Sequence, residues 1–455
     1  MAKGKTKVTY TCQECGHTVS KWQGKCNKCH AWNSFEETVQ TSRPGTKTVA
    51  NIPTLNPVLL TNIDLKEGEI RLRSGIGELD RVLGGGLVAG SLSLIGGDPG
   101  VGKSTLLLMA LSCFAEKNLK TLYVSGEESA RQIRLRAERL KVNTNEMYLL
   151  SETDLDACLA AAEKEKPRVV VLDSVQTLFS HSIDSVPGSM SQVREVANRS
   201  MQFSKRTGIP TFLVGHVTKS GSIAGPKVLE HLVDTVIYFE GDGTSQLRAL
   251  RAVKNRFGAT GELGFFEMTD KGLEEVPDAS ARLLSERVPN ACGTTVMAAM
   301  EGSRPILAEV QALVGQPSPA TPSRTVLGMD RARLQMLLAL LAKYGYQLHD
   351  RDVFISAAGG LRIIEPAADL AMITAIASSV RDIPIDGRTL MFGEVGLVGE
   401  IRAVSHPAQR LIEAQRHGFT RVVGPKSAMS HAPEGLDYVG VRTLKQALAY
   451  LFNVG

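Results

Sequence analysis

Aromatic residues are scarce, making up 5% of the 455 residues, and only two of them are tryptophans. Long apolar runs are missing as well. A membrane-crossing helix needs about 20 consecutive apolar residues, whereas the best cluster here, Leu334–Ala342, is short and contains Gln335. The basic N-terminus is not followed by an apolar segment before Cys12, so no secretory signal is expected. Charge of one sign is also lacking: 52 Lys and Arg against 47 Asp and Glu leave +5. That balance, with 43% hydrophobic residues, excludes a disordered chain. The small excess is local. Residues 1–30 hold six lysines and one glutamate, so the rest of the chain is neutral.

Cysteine is sparse too, with seven in all. A disulfide-stapled secreted scaffold is excluded, and a cytoplasmic location is expected. Cys113, Cys158 and Cys292 sit among apolar neighbours and read as buried thiols. The other four form the pattern C-x2-C-x10-C-x2-C at Cys12, Cys15, Cys26 and Cys29. Two such pairs brought together by a hairpin complete a tetrahedral sulfur shell for zinc. Two disulfides or a redox pair are the alternatives. No βαβ pattern surrounds the cysteines, and about 30 residues cannot hold a core without a staple. Trp22 and Trp32 flank this module. They either pack on its knuckles or stack on a base or a partner.

What the rest contains is a nucleotide signature. The strand-like Ser91–Ile95 leads into Gly97, Asp98, Pro99, Gly100, Val101, Gly102, Lys103 and Ser104, followed by Thr105 and an apolar helical run. This is G-x4-G-K-S in its strand–loop–helix context. The glycines let backbone amides curl around phosphates, and the helix N-terminus adds positive potential. Lys103 would reach the β and γ phosphates of ATP, and Ser104 would hold Mg2+. Arg168–Leu172 is a β-branched run that ends in Asp173, a second Mg2+ ligand at the carboxyl edge of a parallel sheet. Thr121–Val124 ends in Ser125, Gly126, Glu127 and Glu128. A carboxylate there can polarise the attacking water; Glu127 is favoured, with Glu128 open as the alternative. Phe212–Gly215 ends at His216, either a γ-phosphate sensor or a capping histidine. Alternation of these strands with helices predicts a P-loop α/β domain. Thr235–Glu240, Gln246–Val253 and Glu262–Met268 read as successive strands that extend the sheet as antiparallel edges.

Three segments then occur in a telling order: Cys12–Trp32, Leu83–Ser104 (LGGGLVAGSLSLIGGDPGVGKS), and Lys254–Gly258 (KNRFG). In this the chain closely resembles the RadA (Sms) family of bacterial DNA-repair proteins. The resemblance implies an α/β chain of three parts: an N-terminal four-cysteine zinc module, a RecA-like P-loop ATPase core and a C-terminal Lon-protease-like α/β domain. The expected boundaries are 1–35, a linker at 36–70, 71–277 and 278–455. It implies a DNA-dependent ATP hydrolase that binds single-stranded and branched DNA and promotes branch migration in homologous recombination. A DnaB-like homohexameric ring is implied, with the RecA recombinase or a replicative helicase as partners. Lys254 and Arg256 would then reach the γ-phosphate of a neighbouring subunit; without the resemblance they read as a solvated strand end. The Gly/Ser-rich segments Phe179–Gln192 and Thr218–Lys227 resemble the DNA-facing loops of RecA-type cores. A KaiC-like signalling or scaffolding ATPase that binds proteins is the alternative reading.

In the C-terminal third, strands are expected at Thr294–Met300, Ile306–Val314, Val353–Ser356 and Leu390–Glu394, with a helix over Asp330–Tyr344. Aligned with Lon, the serine of its Ser–Lys dyad falls on Ala367 and the lysine near Ala408. Neither nucleophile nor base is present, so assembly rather than peptide hydrolysis is expected there. Arg324, Arg331, Arg333 and Lys343 cluster around the expected helix and read either as a solvated face or as a basic DNA surface.

Overall fold

The computed structural model describes residues 6–12, 14, 17–41, 71–216, 229–241, 247–317, 321–360 and 362–452. Cys15, the Thr218–Lys227 segment and most of the 36–70 stretch lie outside them. The described chain divides into two units. One holds the residues up to Phe239 with Ala252–Gly258 and Asp270–Gly272. The other holds Glu240–Arg251, Ala259–Thr269 and the chain from Leu273 onward.

The N-terminal ribbon is a three-stranded antiparallel sheet of β1 (Thr6–Cys12), β2 (Thr18–Val19) and β3 (Phe35–Thr41), in the order β2-β1-β3. Cys12 pairs with Phe35 in its register. The small core consists of Cys12, Cys26 and Phe35.

The nucleotide-binding part is built on six strands: β4 (Leu92–Gly97), β5 (Thr121–Ser125), β6 (Met147–Ser151), β7 (Val169–Asp173), β8 (Thr211–Val214) and β9 (Thr235–Glu240). They run parallel in the order β9-β4-β8-β7-β5-β6. The antiparallel expectation for Thr235–Glu240 is corrected here, since β9 lies parallel to β4. β7 is buried at every residue, which is why it reads as an unbroken apolar run rather than an alternating one. Helices α1 (Gly77–Val82), α2 (Lys103–Glu116), α3 (Ala130–Leu140), α4 (Leu155–Glu165) and α5 (Met190–Thr207) connect and cover the strands. Because β4, β8, β7 and β5 are neighbours, their carboxyl ends present the P-loop, His216, Asp173 and Glu127 along one edge.

The Gly84–Gly86 run and the KNRFG pentapeptide meet in space. A Cβ on Gly84 would lie 3.1 Å from Gly258 Cα, so the two backbones touch where side chains would not fit. Asn255 fastens the contact: its Nδ2 donates to Val82 O (3.3 Å) and its Oδ1 accepts from Phe257 N (2.9 Å). Two motifs about 170 residues apart in sequence are thus halves of one joint.

In the second unit, part of β10 (Leu247–Asn255) pairs antiparallel with β11 (Leu263–Thr269), from Leu247 opposite Glu267 to Arg251 opposite Leu263. A seven-stranded mixed sheet follows. Its spatial order is Arg324–Leu327, Arg351–Ala357, Arg304–Pro317, Thr294–Glu301, Thr389–Met391, Arg421–Pro425 and Asp437–Val441. Side chains alternate between its faces. Met297 and Ala299 join the core packed by the helices Arg331–Lys343 and Asp369–Arg381, while Val296 and Ala298 join a second core with Leu411 and Phe419. Just past the expected boundary at 277/278, Asp278 caps a short helix, Ala279–Leu284. Two of the four cations of the expected basic face are engaged, while Arg331 and Lys343 are exposed. Arg333 pairs with buried Asp369 at 2.8 Å, and Arg324 donates to backbone carbonyls, including Leu348 O at 2.6 Å. Cys158 is buried as expected, but Cys113 is only half-buried and Cys292 is exposed.

Candidate nucleotide-hydrolysis site and cysteine ribbon

The P-loop turns on glycine. Gly102 sits at φ 116° as the residue before α2, a backbone region that L side chains avoid. No side chain caps α2, and no acidic residue lies in its first turn. Its free amides therefore present uncompensated positive potential, suited to phosphate. A Cβ on Gly100 would meet nothing within 4 Å, so the loop is open above it. Lys103 is buried, and its Nζ donates to Gly97 O (2.7 Å) and Asp98 O (2.9 Å) of the same loop. Burial lowers its pKa, against the pull of Asp173, Glu127 and Asp98.

Ser104 Oγ donates to Asp173 Oδ2 at 2.7 Å. Tyr123, fully buried on β5, donates to the same carboxylate oxygen. Burial raises the Asp173 pKa, opposed by these two hydrogen bonds. Two hard oxygen ligands side by side next to a phosphate loop fit Mg2+, which favours carboxylate, hydroxyl and phosphate oxygens.

The turn after β5 sends its two glutamates to different partners. Gly126 N donates to Asp173 O (2.7 Å), pinning the turn to β7, and a Cβ on Gly126 would come within 2.3 Å of Thr177 Oγ1. Glu127 then faces the strand ends. Its Oε1 accepts from Ser174 Oγ (2.5 Å) and bonds His216 Nε2 (3.1 Å). The histidine contact, ahead of the serine, brings its pKa down to about 2. Glu128 turns away to pair with Arg136 on α3 at 2.5 Å. The α3 helix opens with a capping box between Ser129 and Gln132, which holds the geometry of the turn.

Lys254 and Arg256 both reach the segment just before β9. Lys254 Nζ donates to Glu230 O (2.7 Å) and Val233 O (2.8 Å), and Arg256 pairs with Asp234 at 3.2 Å. Within this chain the pair is thus close together but engaged with residues 230–234 rather than with the P-loop. Segment Phe179–Gln192 is wired internally. The buried Gln192 side chain donates to Ser180 O, Ile183 O and Ser185 O at 3.0–3.1 Å.

Sequence reasoning missed Tyr123 and Ser174. A hydroxyl inside the apolar TLYV run is the available signal for the first, and the place of Ser174 directly after Asp173 is the signal for the second.

In the ribbon, the Cys12, Cys26 and Cys29 sulfurs all lie within 4.8 Å of one another, with Cys12 and Cys29 3.6 Å apart. Three convergent thiols, two of them buried, are the soft donor set that zinc takes. Trp22 and Trp32 do not pack into this core. They are 55% and 71% exposed, and Lys25 Nζ lies 5.3 Å from the Trp32 ring.

The aligned Lon dyad positions are visible. Ala367 is buried in the 3-10 turn Pro366–Ala368, and Ala408 lies on the helix Pro407–Arg416. On that helix Arg410 is fully buried and forks onto Glu365, with NH2 to Oε2 at 2.6 Å and NH1 to Oε1 at 2.9 Å.

A parallel sheet carrying a G-x4-G-K-S loop, with a hydrogen-bonded serine–aspartate pair and a glutamate at the neighbouring strand ends, defines a P-loop ATPase, here with a cysteine ribbon before it and a Lon-like unit after it. Family models agree: residues 10–37 match a rubredoxin metal binding domain, 65–222 an AAA domain, and 341–440 the Lon protease (S16) C-terminal proteolytic domain. The chain is 48% identical over 458 residues to the DNA repair protein RadA of Pseudomonas aeruginosa, covering 99% of this chain and 100% of the relative. It is 46% identical over 451 residues to that of Bacillus subtilis, covering 98% of each. With the Streptococcus pyogenes serotype M6 protein of the same name it shares 48% over 453 residues, covering 99% and 100%. The chain belongs to the DNA repair protein RadA family. No described helix is long and apolar enough to cross a membrane.

Proposed function

We propose that this protein is a cytoplasmic, ATP-driven motor on single-stranded DNA that promotes branch migration of recombination intermediates as a homohexameric, DnaB-like ring. The observation that supports ATP hydrolysis most directly is the Glu127 carboxylate, held between Ser174 and His216 on the strand ends next to Lys103. Family membership supports the DNA substrate, with the RecA recombinase or a replicative helicase as partner.

In this mechanism the P-loop amides and Lys103 bind the phosphates. When bound, Mg2+ neutralises phosphate charge, and Ser104 and Asp173 hold it. Glu127 accepts the proton of the water that attacks the γ-phosphorus in line, while the bond to the β-γ bridging oxygen breaks and ADP leaves. Lys254 and Arg256 of a neighbouring copy would stabilise charge on the leaving phosphates. Zinc would be held by Cys12, Cys15, Cys26 and Cys29. The Lon-like unit serves assembly rather than peptide hydrolysis, since alanine stands at positions 367 and 408.

The test is the ATPase rate with and without single-stranded DNA across a salt series, with protein-substrate cleavage as a parallel readout. Stimulation that fades with salt is expected. No stimulation at low salt would overturn the motor reading, and cleavage of the substrate would overturn the assembly role. Mixing Lys254→Ala with Lys103→Ala subunits should restore part of the activity; no complementation would remove the trans role.

A further inference from the structure

The second unit carries a concave pocket of about 480 Å³ that no step of the ATPase mechanism uses. Tyr344, Tyr346, Arg351, Arg381 and Lys445 line it over a floor that includes Val380 and Leu448, and no carboxylate is among its lining residues. Several arginines elsewhere in this unit, Arg282, Arg333, Arg410 and Arg421 among them, each hold a carboxylate. Arg351, Arg381 and Lys445 do not. Among the described residues none of the three forms an ion pair, and Arg351 Nε is buried with no hydrogen-bond partner. A buried unsatisfied guanidinium nitrogen is costly and calls for a ligand or another acceptor. Arg381 lies over the Phe452 ring at 5.7 Å, a contact that leaves its N–H groups free to donate.

Three unmatched cations attract an anion, and Arg is the residue suited to phosphate. Two tyrosines on an apolar floor suit a flat ring, and the volume lies within the range of small-ligand sites, roughly 300–1,000 Å³. We infer that this pocket binds a free nucleoside monophosphate, with the phosphate on Arg351, Arg381 and Lys445 and the base against Tyr344 and Tyr346. The site is separate from the P-loop and does not depend on the motor reading.

The experiment is calorimetric titration of the full chain with adenosine 5′-monophosphate at low salt, with inorganic phosphate and a 5′-phosphorylated oligonucleotide as further probes. Lys103→Ala disables the P-loop and should leave this binding intact. Arg381→Gln, an exposed change that does not threaten folding, should weaken it about tenfold or more, the loss of a charged hydrogen bond; Arg351→Gln should act in the same direction. Tyr344→Leu should weaken the nucleotide but not inorganic phosphate. The inference fails if millimolar nucleotide does not bind, if Lys103→Ala alone abolishes binding, or if Arg381→Gln is silent. It fails equally if only the oligonucleotide binds, which would make the pocket a DNA-end site. A Tyr344→Leu variant with unchanged nucleotide affinity would remove the base from the proposal.

Discussion

Replacing the two neighbouring glutamates one at a time separates chemistry from packing. Glu127→Gln keeps the side chain's shape and can still accept from Ser174, but it removes the group that takes a proton from water. General-base catalysis is worth about 10²–10⁴ in rate, or roughly 3–5 kcal/mol of barrier. Nucleotide affinity should hold, because Lys103, the α2 amides, Ser104 and Asp173 are untouched. Glu128→Gln removes a half-exposed ion pair with Arg136, worth at most about 1 kcal/mol of stability, and should leave the rate within a few-fold. The assay is single-turnover phosphate release alongside equilibrium binding of a fluorescent nucleotide. If Glu128→Gln lost the rate and Glu127→Gln kept it, the orientation of this turn in solution would differ from the one described, and the assignment of the base would fall.

Other outcomes follow from the same geometry. Burial lifts the Asp369 carboxyl to about 6 in spite of Arg333 and the Val395 amide. Ionisation is therefore unfavourable in the fold, and this residue's contribution falls as pH rises from about 4 through 6. Urea titrations of wild type and Asp369→Asn should coincide in acid, part between about pH 4 and 6 and stay apart above that, the variant being more stable by about 2–3 kcal/mol; a more stable wild type at pH 8 refutes this. Arg410→Met should destabilise the second unit by about 3–5 kcal/mol by stranding the Glu365 carboxylate, and a further Glu365→Gln change should recover most of that loss in the same denaturation assay. Chelation of zinc should melt the ribbon alone, read as loss of hydrogen-exchange protection across β1 and β3; amides that stay protected would mean the sheet stands without metal.

Sequence reading reaches the features whose physics is local. The P-loop, the β7 run ending in Asp173 and the SGEE turn each carry their reason within about ten residues. The strand at Thr235–Glu240 is legible to the residue, because Gly and Asp turns follow an apolar run; its direction is not, because that depends on its pairing with β4. Nonlocal matches are equally hidden. Nothing near Tyr123 says that its hydroxyl will meet Asp173, and nothing near Glu127 says that Ser174 and His216 will close on it; those contacts come from the order of β5, β7 and β8 in the sheet. Arg333 reads as solvated because its partner Asp369 is 36 residues away. Cys292 reads as buried because apolar neighbours in sequence are a poor guide to burial at the edge of a strand.

The exposed ribbon tryptophans have an optical consequence. Trp22 and Trp32 are the only indoles in the chain. Light absorbed beyond the tyrosine band is therefore re-emitted from the ribbon alone, near the red end expected of water-facing rings. The protein carries a built-in lamp on its N-terminal module. Anything that settles on the ribbon will change the colour or dim it, while events confined to the phosphate loop, which has no tryptophan of its own, will reach it only if they move the ribbon.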